Sequence, residues 1–233
     1  MQIATAAQAC RAKARADRKA RIRAKNEPPV LTRGEERFNA ASHGAGAVLA
    51  AAAMTLLLLR SDSGLKVMAS CFYGVSMVLM MLMSGVYHAL PTGSRAKRIC
   101  RRFDYTSIYL LIGGTFAPIF LVYLGDRLGI ALFCVQWSVI LTGVTLLLIF
   151  GPGKWRALHF TLYFLIGWSG LAFLPDFYLR SRTLLWFILL GGVVYTVGMV
   201  PFARGRKYDH CVWHVFVLLA AALSAAALLL RDG

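Results

Sequence analysis

The run Asp209-His210-Cys211-Val212-Trp213-His214 holds two histidines four residues apart. On a helix they share one face, about 6 Å apart along the axis. That spacing lets both imidazoles reach one metal ion. Zinc is held tetrahedrally at about 2.0–2.1 Å from each nitrogen, so two ligands are too few. A third must come from another helix, and His88 can supply it. The competing reading is that these histidines merely hydrogen-bond at a membrane interface. His88 follows Ser84 by four residues, so the two share a face. Ser84 is either a helix-packing serine or a hydrogen-bonding group near a bound substrate. Asp104 is either the N-cap of the next helix or the base that holds and deprotonates a water on the metal. Three histidines and a water make an open catalytic zinc site, in which the water pKa falls to about 7.

Glu36, Asn39 and His43 are spaced by three and four, which puts them on one helical face. Glu36 can be an ordinary interfacial charge, or all three can orient ligands or substrate around a metal. Asp209 can orient a ligand or cap its helix. His159 has no partner at helical spacing and reads as an interface anchor beside Trp155. The five cysteines are scattered, odd in number and without a CxxC. Neither a disulfide framework nor a thiolate zinc site is expected.

These residues need elements to position them. The chain has 233 residues, 58% of them apolar and 15% charged. A soluble domain has roughly 45–50% and 25%, so an ordinary soluble enzyme is excluded. Apolar runs of spanning length lie near 41–60, 67–90, 106–124, 128–150, 157–174, 183–202 and 211–230, against the ~20 residues a helix needs to cross the hydrocarbon. Arg60 and Arg231 stop the first and last runs, and Gly125-Asp126-Arg127 turns between the third and fourth. Pro118 is expected to bend the third span. Gly113-Gly114 and Gly191-Gly192 are expected to allow close helix packing. The fold class is all-α: an integral, multi-pass membrane bundle of seven transmembrane helices over residues 38–233, preceded by a basic arm over residues 1–37.

Charge sets the orientation. Twenty of the 26 Lys and Arg fall on the arm and the loops after spans 2, 4 and 6, and six on the other side. The positive-inside rule then puts the N-terminus in the cytoplasm and the C-terminus outside. His43, His88, His159, His210, His214 and Asp104 all fall at the cytoplasmic ends. The net charge of +16 therefore belongs to loops, not to a nucleic-acid interface. The arm has no apolar signal core and is read as flexible or weakly helical, resting on anionic lipid head groups. The expected location is the bacterial inner membrane.

Four segments together are similar to one family. Glu36-Arg37-Phe38-Asn39-Ala40-Ala41-Ser42-His43-Gly44 resembles the opening motif of the haemolysin III family. Ser84 to His88, followed by Ala89-Leu90-Pro91, resembles its SxxxH motif. Phe103-Asp104-Tyr105 with Ile108-Tyr109-Leu110-Leu111-Ile112-Gly113-Gly114-Thr115 resembles its third-helix signature, and His210 to His214 its last-helix HxxxH. The likeness covers about residues 35–230 in the right order. The long basic arm has no counterpart in that pattern. The family is the bacterial branch of the progestin and adipoQ receptor group, inside a larger superfamily of membrane hydrolases. The resemblance implies zinc near the cytoplasmic face, ligated by His88, His210 and His214, with Asp104 and Ser84 beside the metal water. Relatives in the adiponectin-receptor branch are associated with ceramide amide hydrolysis, and bacterial relatives with membrane lipid homeostasis.

Two functions follow as expectations. One is a zinc-dependent membrane hydrolase, ceramidase-like, acting on a lipid amide or ester. The alternative is a sensor of lipid or membrane state with a structural zinc stapling spans 2 and 7. In both, a membrane lipid is the partner. A retinal pump is excluded, because span 7 has no lysine between 211 and 230. A haem bundle fits poorly, since His210 and His214 stack on one helix. Imidazole also suits iron, copper and nickel.

Overall fold

The computed structural model describes residues 2–230. All regular structure among them is helical: α1 Gln2–Asn26, α2 Arg33–Leu59, α3 Gly64–Ala89, α4 Arg95–Pro118, α5 Arg127–Phe150, α6 Arg156–Gly167, α7 Leu174–Arg180, α8 Arg182–Arg204 and α9 Asp209–Leu229. A π-helical segment, Ile119–Leu124, continues α4 beyond Pro118, and a 3-10 turn, Ser169–Phe173, joins α6 to α7. Seven helical stretches are long and apolar enough to span a membrane, with α6, the turn and the start of α7 counting as one. The expected seven-span architecture is thus present. Arg231 lies outside the described residues, while Arg60 is the C-cap of α2.

Several helices begin earlier than their apolar runs. Thr32 accepts from the Glu35 backbone, and Glu35 Oε2 accepts from Thr32 N at 2.9 Å. This capping box starts α2 at Arg33. Ser94 accepts from Lys97 N at 3.1 Å and starts α4 at Arg95. The cationic residues 95–102, read from sequence as a loop, are therefore the first two turns of α4. Two of the arginines reach the ends of α1 and α5: Arg101 Nη1 donates to the carbonyls of Asn26 and Glu27, and Arg102 Nη1 to that of Leu148. Between α4 and α5, Gly125 takes φ +62° and Asp126 accepts from Gly129 N at 2.8 Å. The turn lies where its three residues predict.

The fifth span is broken, which hydropathy did not show. The helix stops at Gly167, and Ser169 and Gly170 begin a tighter turn. A break at membrane depth needs local partners for the freed carbonyls. Gln136 of α5 supplies them: its Nε2 lies 3.2 Å from both Ile166 O and Ser169 Oγ.

The bundle is centred on α4, whose apolar window is 67% buried against 22% for α2, α5, α6 and α8. Helices α2, α3, α4 and α9 share one core around Tyr73, Met77, Met80, Met81, Leu111 and Val217. Tyr73 Oη donates to Ala221 O at 3.0 Å, tying α3 to α9. Close approach depends on glycine. A methyl on Gly114 would strike Ser76 and the Phe72 carbonyl of α3, and one on Gly113 would strike Ile140 and Trp137 of α5. This packing brings the start of α2, the end of α3, and the starts of α4 and α9 together at one end of the bundle.

Outside the bundle, α1 exposes most of its side chains from Gln8 onward. Its end is pinned to the α5–α6 turn. Asn26 Nδ2 donates to Phe150 O at 2.9 Å, and Gly153 N donates to Asn26 Oδ1 at 2.8 Å.

Candidate metal centre

His210 and His214 enter from the first two turns of α9, and His88 from the last turn of α3. His210 Nε2 lies 3.1 Å from His88 Nε2 and 3.3 Å from His214 Nε2. His88 and His214 are buried and His210 half-buried. Two nitrogens held tetrahedrally at zinc distances stand about 3.3 Å apart, so both edges that meet at His210 already have the length of such a site.

The hydrogen bonds on the far side of the rings decide what converges. His88 Nδ1 lies 2.7 Å from Glu36 Oε2. A carboxylate only accepts, so Nδ1 carries the proton and Nε2 presents a lone pair. Glu36 on α2 thereby fixes both tautomer and ring orientation, as carboxylates do behind metal-bound histidines. His214 is hydrogen-bonded to the Asn39 backbone and has Ser42 Oγ 3.5 Å from its Nδ1. Its Nε2 is likewise left toward the centre. Converging lone pairs in a buried place suit a cation, and this donor set suits zinc.

The remaining candidates are gathered around this centre, but not all touch it. Ser84 is buried and hydrogen-bonds Asp104. Asp104 lies in the third turn of α4, well past the cap at Ser94, so the N-cap reading does not hold. Its carboxylate does not join the group of three histidines whose ligand atoms lie within 4.8 Å of one another. It stands beside the site, with His88, Lys97 and Arg101 as neighbours. His43 is fully buried and stacks on His214, ring centroids 3.7 Å apart. Asn39 is also fully buried, and its side-chain amide has no hydrogen-bond partner among the described residues.

Two readings from spacing alone are corrected. His159 is not an interface anchor: it is buried, with Nδ1 3.0 Å from Tyr109 Oη, away from the trio. Asp209 neither orients a ligand nor caps α9. It accepts from Arg204 Nε at 2.8 Å, Arg204 Nη2 at 2.5 Å and Arg206 N at 2.8 Å, closing the α8–α9 turn.

Two residues at the site carried no recognised signal. Glu35 Oε1 accepts from Tyr208 N at 2.8 Å, tying the start of α2 to that of α9. The Thr32-x-x-Glu35 pattern would have marked it as a capping glutamate. Lys97, counted among the loop cations, is fully buried and meets Glu36 Oε1 at 3.0 Å. The charge asymmetry survives its removal.

A narrow apolar cavity of about 130 Å³ runs below the centre between α3, α4, α6, α8 and α9, lined by Tyr105, Phe160, Tyr195, Phe202, Trp213 and others. Phe202 packs against both His210 and Trp213, with centroids 5.7 and 5.1 Å apart, so the cavity and the histidines share a wall.

Fold and site together define a seven-helix integral membrane protein with a buried three-histidine centre at one end. Residues 31–225 match the haemolysin-III-related family, and the chain belongs to it. Hemolysin-3 of Bacillus cereus is 31% identical over 195 residues, covering 81% of this chain and 88% of that protein. The Hemolysin-3 homolog of Bacillus subtilis (strain 168) is 30% identical over 198 residues, covering 83% and 92%. The human monocyte to macrophage differentiation factor is 25% identical over 201 residues, covering 81% of each chain. The protein is a multi-pass membrane protein, and the Bacillus relatives support the bacterial plasma membrane as its place.

Proposed function

We propose that the protein is a zinc-dependent membrane hydrolase acting on an amide or ester bond of a lipid. The observation that carries this is the convergence of three histidine Nε2 atoms, with that of His210 at tetrahedral edge distances from the other two and the His88 and His214 rings held from behind. Zinc, when bound, supplies a Lewis acid for a carbonyl and lowers the pKa of water to near 7. The chain's own residues do the rest. His88, His210 and His214 hold the metal, and Glu36 orients His88. Asp104, fixed by Ser84, is placed to take the proton of the attacking water. Asn39 and His43 line the buried wall beside His214. The apolar cavity would hold an acyl chain with its carbonyl at the histidine end.

A sensor with a structural zinc would want the site closed by a fourth protein ligand. Among the described residues the group has three, and His43 offers His214 its face. The hydrolase reading is therefore favoured. The charge asymmetry supports a cytoplasmic N-terminus, with the centre on that side of the membrane. The exposed α1, with its cations from Arg11 to Lys25, then lies on anionic head groups. Trypsin should cut it more slowly in anionic than in neutral nanodiscs at low salt, and equally in both at high salt.

The decisive experiment is metal analysis by mass spectrometry of detergent-purified protein, with His88→Ala and His214→Ala beside it, followed by hydrolysis of lipid amides and esters. Stoichiometric zinc, lost in both variants together with hydrolysis, supports the proposal. Hydrolysis retained in a zinc-free His88→Ala protein would end it.

A further inference from the structure

We infer that Lys97 is a positioning residue of the metal centre, holding the Glu36 carboxylate that in turn holds His88. The inference rests on the metal reading above and concerns a side chain that no motif of the chain singles out.

A buried ammonium is costly unless every N–H finds an acceptor. Lys97 Nζ lies 3.0 Å from Tyr87 O, 3.4 Å from His88 O and 3.0 Å from Leu90 O. These are carbonyls at the C-terminal end of α3, where a helix leaves acceptors unpaired and favours a cation. Beside these three carbonyls the ammonium makes an ion pair with Glu36 Oε1 at 3.0 Å. The other oxygen of the same carboxylate is the one on His88 Nδ1. Lys97 on α4 thus grips His88 twice, once by its backbone carbonyl and once through Glu36 on α2. Three helices meet in this chain of contacts, and its last link is a ligand ring.

A lysine serving only to cap α3 would be satisfied by the three carbonyls. The carboxylate gives it a further task. With His88 Nδ1 on one oxygen and the ammonium ion-paired to the other, Glu36 is held against rotation. Without Lys97, Oε1 has lost its cation and the carboxylate is free to leave Nδ1, which unlocks the ring. The same geometry requires an ammonium, whose donors point to several carbonyls at once; a planar guanidinium matches that arrangement less well.

The test is zinc affinity by chelator competition on the full-length protein in detergent, with the visible spectrum of the cobalt-substituted protein and the melting temperature of the metal-free form. Lys97→Met and Glu36→Gln should each weaken zinc by roughly 10- to 100-fold, the usual effect of removing a group behind a ligand. Both should alter the cobalt spectrum. The double variant should be no weaker than Glu36→Gln alone, because Lys97 acts through Glu36. Lys97→Arg should recover part of the loss. A purely structural lysine would instead lower the melting temperature and leave affinity and spectrum unchanged, which would overturn the inference. Independent losses that multiply in the double variant would also overturn it. If Lys97→Met fails to fold, Glu36→Gln decides, since wild-type affinity there breaks the chain at its central link. Zinc binding by the unmutated protein with unaffected variants refutes this inference alone. No zinc in the unmutated protein refutes the metal reading and this inference with it.

Discussion

The imidazole of His43 lies on that of His214, with ring centroids 3.7 Å apart and 23° between the planes. The first spanning helix thus touches the last through two rings, one of them a candidate metal ligand. His43 is fully buried, so the contact is made away from water. A ring packed on one face and hydrogen-bonded at its edge has one orientation available. His43→Ala removes the packing but not the hydrogen bond. Zinc should then bind about 10-fold more weakly, whereas His214→Ala should abolish binding. Chelator competition on the two purified variants distinguishes a supporting ring from a ligand.

Helix spacing reaches the site through glycine. Gly114 lets α4, which carries Asp104, approach α3, which carries His88; a methyl there would run into Ser76 and the Phe72 carbonyl. Backbone cannot move aside as a flexible side chain can. Gly114→Ala should lower stability by about 1–3 kcal/mol and weaken zinc as well. Gly44 is the matched control, with open space where its methyl would go. Gly44→Ala should leave zinc binding unchanged and stability the same or slightly higher. Thermal unfolding in detergent reads both, and equal losses would show that spacing between α3 and α4 is not what Gly114 provides.

The break in the fifth span makes a separate claim on Gln136. That side chain is buried and donates toward Ile166 O and Ser169 Oγ. Gln136→Leu keeps the volume and removes the donor, leaving the freed Ile166 carbonyl with the Ser169 hydroxyl alone. The expected cost is about 1–3 kcal/mol in thermal unfolding, with zinc affinity unaffected because α5 does not reach the centre.

Spacing in the sequence carried the two halves of the histidine cluster, and burial explains what it could not carry. His210 and His214 share a face on any helix, and so do Ser84 and His88. The apolar runs located all seven spans, because a helix needs a fixed length of apolar chain to cross a membrane. The runs failed at helix ends. Residues 95–102 are cationic, and hydropathy cannot tell a polar helical turn from a loop. Ser94 and Thr32, as capping residues, mark those ends better. Lys97 and Arg98 look alike in sequence, yet one is fully buried and the other half-buried; three packed helices decide that. The pairing of His159 with Tyr109 joins residues fifty apart on separate helices, so no helical period could have found it.

Zinc removal should reveal how much of the bundle the centre holds together. The candidate ligands come from α3 and α9, and the groups behind His88 and His214 from α2. A metal that binds only the folded form stabilises it by RT ln(1 + L/Kd), where L is the free metal concentration. At a free concentration one hundred times the dissociation constant the gain is about 2.7 kcal/mol. Chelation should therefore lower the melting temperature of the purified protein, and added zinc should restore it. His210→Ala leaves two ligands, too few for a tetrahedral site, so its melting temperature should not respond to chelator or to zinc. A response of equal size in that variant would place the stabilising metal elsewhere in the chain. No response in the unmutated protein would separate the histidine cluster from metal binding altogether.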